Sequence, residues 1–327
     1  MKLSVPGYWR ERTPVSWLLY PVSLLFRLLV KLRRQAYQCG LLRTWRSPVP
    51  VIVVGNITVG GAGKTPLVIA LCGLLSMRKL RVGIVTRGFA GRATQQPVMV
   101  KAESDPALAG DEAVLLAIRC MADVVACKSR VLAVRHLLSL GGYDVILSDD
   151  GLQHYALDRD FEIAVVDAGF GFGNEFCLPA GPLREPVARL STVDIVVYSG
   201  TDRQQPGYFL SGEKLINVAD PAKTMSLASL RGEHVHAVAG IAAPDRFFRS
   251  LRAQGLQVKE HPFPDHAAFS RSDFEFDDDL PVILTEKDLV KCTGYGLLNC
   301  WYLPVDAVFD EAMQDELNSL LNKLIAS

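Results

Sequence analysis

Hydrophobic residues along the chain follow two alternating patterns. Short apolar runs rich in β-branched side chains are typical of strands that are buried on both faces of a sheet. Longer stretches with helical periodicity separate many of these runs. The pattern predicts strands at 51–54, 81–86, 143–148, 161–167, 193–198, 235–239 and 281–284, and helices at 66–77, 113–121, 244–253 and 311–325. Strands that alternate with helices indicate an α/β fold with a mostly parallel sheet.

The first predicted strand leads into a glycine-rich loop, and the loop leads into a helix. Strand, glycine loop, Lys-Thr and helix in this order are typical of a loop that binds the phosphates of a nucleoside triphosphate. Glycines let backbone N–H groups surround phosphate oxygens, and the helix N-terminus adds partial positive charge. A lysine can bridge the outer phosphates, and a threonine hydroxyl can hold Mg²⁺. The predicted binding residues are Thr58, Val59, Gly60, Gly61, Ala62, Gly63, Lys64 and Thr65.

This loop departs from the plain phosphate-loop motif at one position. The motif G-x-x-x-x-G-K-[ST] has a glycine where this chain has Thr58, so the variant here is T-V-G-G-A-G-K-T. The alternative interpretation is an ordinary glycine-rich turn with a surface lysine. The flanking strand and helix favour the phosphate-binding interpretation.

A second acidic motif follows another apolar strand. The run YDVILS at 143–148 ends in Asp149 and Asp150, which is the arrangement of a Walker B carboxylate. Two adjacent buried acids repel each other, and a bound Mg²⁺ would remove that cost. We therefore predict a magnesium site formed by Thr65, Asp149 and Asp150.

The N-terminal region is the most basic part of the chain. Residues 1–47 hold nine Lys or Arg residues and one acid, although the whole chain has a formal net charge of zero. The segment 17–32 is too short, and too interrupted by Arg27 and Lys31, for a membrane span, which needs about 20 apolar residues, so we predict an amphipathic helix from Pro21 to Gln38. Such a helix suits a membrane surface with anionic lipids, and the alternative is a helix packed on the protein's own core.

Overall charge and cysteine content exclude some classes of function. A neutral chain creates no field that attracts nucleic acid, so we predict no nucleic-acid partner. The seven cysteines are scattered and contain no C-x-x-C pair, which argues against a disulfide framework or a structural zinc site. We expect a monomer.

Three further features are ambiguous from the sequence alone. Asp111 and Glu112 precede a predicted helix, so they could act as an N-cap and a first-turn acid or take part in catalysis. The loop that begins at Arg87 and Gly88 could contact phosphate groups or could simply carry solvated charges. The ordered loop around Arg184 is more than a linker, and Arg184 could contact phosphate.

Taken in order, the motifs resemble those of the tetraacyldisaccharide 4′-kinases of the lipid A pathway in the Gram-negative envelope. The resemblance spans essentially the whole chain. It rests on Gly55-Asn56, TVGGAGKTP at 58–66, Arg87-Gly88, Gly110-Asp111-Glu112, DDGLQH at 149–154, LPAGPLREP at 178–186, Gly240-Ile241-Ala242, Pro244, RFF at 246–248, FPDH at 263–266 and TEKD at 285–288. One departure is Phe89, where the family usually has a tyrosine.

The resemblance implies transfer of phosphate from ATP, with Mg²⁺, to the 4′-hydroxyl of a tetraacylated glucosamine disaccharide 1-phosphate, which gives lipid IVA. It implies a phosphate-loop core at 48–225, a smaller C-terminal α/β lobe at 226–327 and an N-terminal amphipathic region at 1–47. We expect a peripheral or monotopic protein at the cytoplasmic face of the inner membrane. Its expected substrate is an anionic acylated disaccharide.

The resemblance also implies roles for individual residues. Asp111 corresponds to the catalytic base and His266 to its partner. Lys64 and Arg184 are implied as catalytic residues as well. The implied magnesium-binding residues are Thr65, Glu112, Asp149 and Asp150. An aspartate within hydrogen-bond reach of a sugar hydroxyl can accept its proton as attack on phosphorus develops.

A regulatory ATPase or GTPase, such as a metal-delivery or protein-targeting chaperone, is the alternative. Loops with doubled glycines occur in those proteins too. Against it, Val59 stands before Gly60, where those loops often carry a lysine, and the chain has no metal-handling Cys/His cluster. The TEKD motif at 285–288 has its lysine and spacer in the wrong order for a guanine-reading [NT]-K-x-D.

Overall fold

The computed structural model describes residues 6–88, 95–200, 205–292 and 294–326. Phe89, the predicted departure from the family motif, lies outside the described residues. The helices are α1 (Pro14–Gln38), α2 (Lys64–Met77), α3 (Pro106–Ala109), α4 (Asp111–Arg119), α5 (Arg130–Leu140), α6 (Pro244–Ala253), α7 (Glu286–Leu289) and α8 (Glu311–Ala326).

Fifteen strands are assigned within the described residues. They are β1 (Val51–Gly55), β2 (Val82–Thr86), β3 (Val98–Val100), β4 (Asp123–Ala126), β5 (Val145–Asp149), β6 (Phe161–Asp167), β7 (Ile195–Ser199), β8 (Gly207–Ser211), β9 (Lys214–Asn217), β10 (Thr224–Ser226), β11 (His234–Ala239), β12 (Gln257–Pro262), β13 (Val282–Thr285), β14 (Cys300–Leu303) and β15 (Asp306–Phe309).

The larger sheet has nine strands in the order β15-β8-β7-β6-β1-β5-β2-β4-β3. Its central strands are parallel, and only β15 and β3 at the two edges pair antiparallel. The central strand β1 lies between β5 and β6 with its residues fully buried. In open parallel sheets, ligands bind outside the carboxyl ends of the strands at the point where the strand order reverses. In this sheet that point is at the end of β1. The predicted α/β core with a mostly parallel sheet is confirmed.

The smaller sheet has six strands in the order β10-β9-β14-β13-β11-β12. The chain enters it at β9 and returns to the larger sheet at β15, where α8 also packs into the core of that sheet. The predicted division at 225/226 therefore does not coincide with the change of sheet. The short β9 and β10 have no distinctive hydrophobic pattern, and β15 pairs with a strand almost a hundred residues earlier in the chain. Assignment of domains stays a prediction.

The predicted N-terminal helix is longer than the sequence pattern indicated. It begins at Pro14 with Thr13 as its N-cap, and Pro21 lies inside the helix rather than in its first turn. The earlier start makes α1 a helix of 25 residues, and by length and composition it is sufficient to cross a membrane. The expectation that this segment is too short to span is therefore not supported by helix length.

Most of the large apolar side chains of α1 are exposed rather than packed against the rest of the protein. Its buried residues are Ser16 and Ser23, and the Ser23 hydroxyl donates to the Cys177 carbonyl at 2.7 Å. Phe26 packs on a small buried cluster that contains Ile57. The large apolar side chains that remain exposed are Val15, Trp17, Leu18, Val22, Leu24, Leu25, Leu28, Leu29 and Leu32. The helix thus contacts the core through a narrow face and leaves its leucine face exposed.

Candidate active site

The phosphate loop connects β1 to α2, and its last glycine has a fixed conformation. Gly63 is the N-cap of α2 with φ of +84°, a left-handed geometry that favours glycine. A Cβ at this position would lie 2.6 Å from the Ser199 hydroxyl and 2.7 Å from the Tyr208 hydroxyl. The Tyr208 hydroxyl also donates to the Gly63 carbonyl. Both the backbone angle and the surrounding side chains therefore require glycine directly before Lys64.

Asn56 connects the two ends of this loop. Its side chain is fully buried, and its amide donates to the Thr58 hydroxyl at 3.2 Å and to the Gly60 carbonyl at 3.4 Å. Its Oδ1 accepts a hydrogen bond of 3.1 Å from the Lys64 ammonium. The threonine that replaces the motif glycine is thus a hydrogen-bond partner within the loop. The sequence analysis quoted Asn56 but gave it no role.

The remaining predicted loop residues differ in their surroundings. Ala62 is buried, and Gly61 lies close to Ala242 of the smaller lobe, since a Cβ on Gly61 would be 3.5 Å from the Ala242 methyl. The Val59 N–H donates to the Pro182 carbonyl at 2.8 Å. The backbone amide of Val59 is therefore already engaged, whereas Lys64 and Thr65 begin α2 at the loop's end.

Asp149 ends β5 and is fully buried. Its Oδ2 accepts a hydrogen bond of 3.3 Å from the Thr86 hydroxyl, while its Oδ1 has no hydrogen-bond partner among the described residues. Burial raises the pKa of this carboxyl to about 7, and the negative charge of Glu112 adds to the effect, although Lys64 opposes it. A buried carboxylate with a free oxygen and neighbouring acids is a site that a cation would stabilise.

Asp150, the next residue, has a different environment. Its carboxylate lies 3.3 Å from the Lys64 ammonium and 3.3 Å from the Arg184 guanidinium. Burial acts to raise its pKa, but the charges of Lys64, Arg184 and Arg130 outweigh burial and hold the pKa well below its usual range. The backbone at Asp150 has φ of +48°, and such left-handed residues concentrate at functional sites.

Arg130 supports these two aspartates from inside the protein, and the sequence analysis did not identify it. It is 1% exposed and donates to the Asp149 carbonyl at 2.7 Å and to the Cys127 carbonyl at 3.0 Å. Burial lowers its pKa to about 10 even though both aspartates oppose that change. The guanidinium thus fixes the end of β5 and supplies positive charge beneath the acidic pair.

The predicted base and its partner meet across the two lobes. Asp111 is the first residue of α4, after Gly110 as N-cap, so Asp111 itself is not the N-cap. The His266 Nδ1 lies 3.0 Å from the Asp111 Oδ2, although 155 residues separate them in the chain. His266 has φ of +57°, which turns the chain just after β12. Burial opposes ionisation of Asp111, but the hydrogen bond from His266 and the charges of Lys291 and Lys287 lower its pKa.

Two lysines of the smaller lobe complete this region. The Lys287 ammonium lies 3.1 Å from Glu112 and 3.4 Å from Asp265, and Lys291 lies 3.6 Å from Asp111. Lys287 belongs to the TEKD motif, but the sequence analysis gave neither lysine a role. Lys287 lies in the short helix α7 and Lys291 in the turn after it, so neither carries a local signal of catalysis. Only the fold places Lys291 beside an aspartate 180 residues earlier.

The structure therefore brings the predicted residues into one region. Lys64 contacts Asp150, Arg184 contacts Asp150, and Glu112 acts electrostatically on Asp149. Glu112 follows Asp111 directly, so the predicted base lies one residue from an acid that acts on Asp149. A phosphate loop, a Walker B acid and an aspartate paired with a histidine define a phosphotransferase of the P-loop class.

Comparison with known proteins identifies the family within that class. The family model for tetraacyldisaccharide-1-P 4′-kinase, LpxK, matches residues 15–325, and the chain belongs to this family. A tetraacyldisaccharide 4′-kinase of Nitrosococcus oceani is 47% identical over 97% of this chain and 94% of its own length. Those of Methylobacillus flagellatus and of a Coxiella burnetii strain are 45% and 44% identical, over 97% and 99% of this chain and 95% and 97% of their own lengths.

A solved structure agrees with these relatives. An LpxK from Aquifex aeolicus, crystallised in complex with ATP, superposes with a TM-score of 0.80 at 29% identity and covers 95% of this chain and 99% of its own. The predicted family and fold are confirmed. The alternative of a regulatory ATPase or GTPase is wrong, because the family match extends over both lobes rather than over the phosphate loop alone.

Proposed function

We propose that this protein transfers the γ-phosphoryl group of ATP to the 4′-hydroxyl of a tetraacylated glucosamine disaccharide 1-phosphate, giving lipid IVA. The observation that carries the proposal is the His266–Asp111 pair beside the phosphate loop, in a chain that belongs to the tetraacyldisaccharide-1-P 4′-kinase family. A histidine-paired carboxylate outside the proposed cation site can accept the proton of a hydroxyl acceptor, and membership in a kinase family favours that use over hydrolysis by water.

On the nucleotide side, the residues from Gly60 to Thr65 bind the phosphates, and Thr58 and Val59 fix the start of the loop through Asn56 and the Pro182 carbonyl. Lys64 is held by Asn56 and Asp150 at the start of α2, so its ammonium is already at the phosphate-binding loop. Arg184 contacts the same aspartate and adds a second positive charge. Both cations reduce the negative charge that builds up on the transferring group, and positioning supplies most of the rate in phosphoryl transfer.

On the acceptor side, Asp111 accepts the proton of the sugar hydroxyl as attack develops. The lowered pKa of Asp111 keeps its carboxylate ionised at neutral pH, so it is ready to accept a hydrogen bond from a hydroxyl. His266 fixes the carboxylate through its 3.0 Å contact with Oδ2 and can share the proton after transfer.

The residues present fit a magnesium ion. Asp149 has a buried oxygen without a hydrogen-bond partner among the described residues, and its pKa is raised to about 7. The residues that would hold the ion are Thr65, Glu112, Asp149 and Asp150. Asp149 offers that unpaired oxygen, whereas Glu112 is paired with Lys287, and Asp150 with Lys64 and Arg184. Across the described residues no group of three His, Cys, Asp or Glu forms a metal cluster, which suits Mg²⁺ because it commonly takes few protein ligands with phosphates. The bound ion would reduce the charge on the phosphates.

The exposed leucine face of α1 supports binding to a membrane surface. A face this apolar is costly in water, and the substrate is an acylated lipid that resides in a bilayer. Arg27, Lys31 and Arg34 supply cations for anionic headgroups, as do other basic residues of the N-terminal region. We place the protein at the cytoplasmic face of the inner membrane, as a peripheral or monotopic monomer.

A phosphotransfer assay tests the proposed reaction. Radiolabelled ATP is supplied with Mg²⁺ and the tetraacylated disaccharide 1-phosphate in mixed micelles, or without the lipid. We expect label on the lipid and ATP consumption that depends on it. ATP hydrolysis that is indifferent to the lipid would contradict the proposal.

Liposome flotation tests the membrane contact separately. Replacement of Leu18, Leu25 and Leu29 by serine removes three exposed leucines from α1, so we expect binding to anionic vesicles to fall at least tenfold. Serine at Leu140, Leu298 and Met121 is a matched control, since these side chains are also exposed but lie outside the N-terminal region. Equal binding of both triple variants would reject the assignment of the surface to α1.

A further inference from the structure

A buried lysine of the smaller lobe lies between two aspartates. The Lys291 side chain is 6% exposed, and its ammonium lies 2.7 Å from the Asp288 Oδ1 and 3.6 Å from the Asp111 Oδ2. It also donates to the Gly240 carbonyl at 3.1 Å. An ammonium buried to this extent is stable only when its charge is compensated, so the two carboxylates and the carbonyl define where it can sit.

Asp288 fixes the position of that lysine. Asp288 is fully buried, and its Oδ2 accepts hydrogen bonds from the Gly240 N–H at 2.9 Å and the Thr285 hydroxyl at 2.6 Å. The remaining oxygen, Oδ1, is the one that pairs with Lys291. Each oxygen of this carboxylate thus has a partner, and the partners lie on three different segments of the smaller lobe. The aspartate has little freedom to move, and neither has the ammonium bound to it.

Because Lys291 is itself fixed, it restricts the movement of Asp111. The hydrogen bond from His266 and the shortest ion-pair contact from Lys291 both reach the Oδ2 atom of Asp111. When one carboxylate oxygen has two cationic or donor partners, rotation about the Cβ–Cγ bond is restricted, and the other oxygen, Oδ1, is left for a further donor. We propose that Lys291 and Asp288 are positioning residues that hold Asp111 in the orientation in which Oδ1 receives the proton of the acceptor hydroxyl.

This inference rests on the proposed kinase function and gives the TEKD motif a purpose. Thr285 is the N-cap of α7 and accepts a hydrogen bond of 3.2 Å from the Asp288 N–H. The motif therefore builds a rigid turn whose aspartate points inward to Lys291, three residues further along. Lys287, in the same motif, points to Glu112 instead. One short segment thus contacts both acidic residues at the start of α4.

Steady-state kinetics with the lipid disaccharide and ATP test the proposal in the full-length protein. Lys291→Met removes the ammonium but keeps the length of the side chain, so we expect kcat to fall at least about tenfold. The KM for ATP and the Kd of a fluorescent ATP analogue should stay within about twofold, because Lys64 and its loop are not altered. Lys291→Arg keeps the charge and should recover part of the lost kcat. Lys223→Met, which removes a surface lysine 3.8 Å from Asp220, is the matched control and should behave as wild type.

Asp288→Asn gives an independent measurement if thermal denaturation shows that Lys291→Met is unfolded. Asparagine keeps an acceptor for the Gly240 N–H but loses the charge that anchors Lys291, so kcat should fall severalfold with unchanged nucleotide affinity. A wild-type kcat in the folded variants, or a loss confined to the KM for ATP, would overturn the positioning role. A wild-type protein that fails to phosphorylate the lipid would instead overturn the proposed function, and with it this inference.

Discussion

Asp149 and Asp111 are both buried carboxylates in the same active region, yet their pKa values move in opposite directions. Asp149 is fully buried with other acids nearby, and its pKa rises to about 7. Asp111 is also buried, but His266, Lys291 and Lys287 outweigh the effect of burial and lower its pKa. Burial alone therefore does not decide the state of an acid. The charges around each carboxylate set the direction of its pKa shift, which is consistent with the proposed roles of Asp149 as a cation ligand and Asp111 as a base.

The two sites also differ in how the chain builds them. The phosphate side comes from residues 55–65 and 149–150, at the ends of the neighbouring strands β1 and β5. The base side requires Asp111 of the core and His266, Lys287 and Lys291 of the smaller lobe. The nucleotide site is thus local to one sheet, whereas the base is set by contacts between lobes. A substitution on the base side should therefore leave ATP affinity largely unchanged. A substitution on the phosphate side should leave kcat at saturating ATP largely unchanged.

The largest expected effect is from Asp111→Ala. Loss of a general base typically costs about 10²- to 10⁴-fold in rate, so we expect kcat to fall within this range. ATP binding should be nearly unchanged, because Asp111 makes no contact with Lys64 or its loop in the described contacts. Steady-state kinetics and equilibrium binding of a fluorescent ATP analogue measure the two properties.

The control for this prediction is Asp105→Ala. Asp105 caps the short helix α3 six residues earlier in the chain, where its side chain accepts a hydrogen bond from the Ala107 N–H. That variant tests whether a disturbance near the start of α4 is enough to lower kcat. Near-wild-type turnover in Asp111→Ala would remove this residue from the role of base.

The same comparison shows what could be predicted from the sequence. The strand at β1, the loop to Lys64 and the acid after β5 are contiguous patterns, and each has a local physical signature. The base side has no such signature. Asp111 and Glu112 at the start of a helix look like ordinary first-turn acids, and only the family resemblance pointed to His266 as a partner.

Lys291, Asp288 and Arg130 show why the rest could not be predicted. Their roles depend on burial and on partners far along the chain, which periodicity does not encode. The N-terminal helix shows a different limit. A proline can begin a helix, and Pro21 fits such a position, but the Thr13 cap followed by Pro14 provides an earlier start. The hydrophobic pattern does not predict β3, β4, β8, β9, β10, β12, β14 and β15; all but β12 have three to five residues, and β12 is largely polar.

A second, smaller effect should appear in the pH dependence of stability in metal-free protein. The folded pKa of Asp149 is raised from 3.8 to about 7, so the folded state binds more protons than the unfolded state in this window, and stability falls as pH rises through it. One pKa unit corresponds to about 1.4 kcal/mol, which gives a loss of about 2 to 3 kcal/mol between pH 5 and 8. Asp149→Asn should remove this loss. Urea unfolding in the presence of a chelator measures it.

Asp111→Asn provides the matched comparison for that experiment. In the wild type the folded pKa of Asp111 is lowered, so the contribution of this carboxylate to stability is complete above the ordinary value of 3.8 and is lost only in more acidic solution. Between pH 5 and 8 this variant should keep the wild-type slope. Added Mg²⁺ should stabilise the wild type most at pH 8 and should have little effect on Asp149→Asn. Equal slopes in all three proteins would mean that the two carboxylates do not differ as the structure indicates.

The smallest expected effect is that of replacing Asn56. This replacement tests the geometry of the nucleotide loop without changing the charge of the loop. Asn56→Ala removes the hydrogen bonds to Thr58, Gly60 and Lys64 but alters no ionised group. Each hydrogen bond contributes about 1 kcal/mol, and part of the loss is recovered when Lys64 turns fully to Asp150, so we expect ATP affinity to fall about tenfold. The kcat at saturating ATP should change less than threefold, because Asp111 is unaffected. Thr58→Val loses only the first of these bonds and should weaken ATP binding about threefold. A fall in kcat as large as that of Asp111→Ala would show that the loop and the base are coupled, and the division into a local nucleotide site and an interlobe base would then fail.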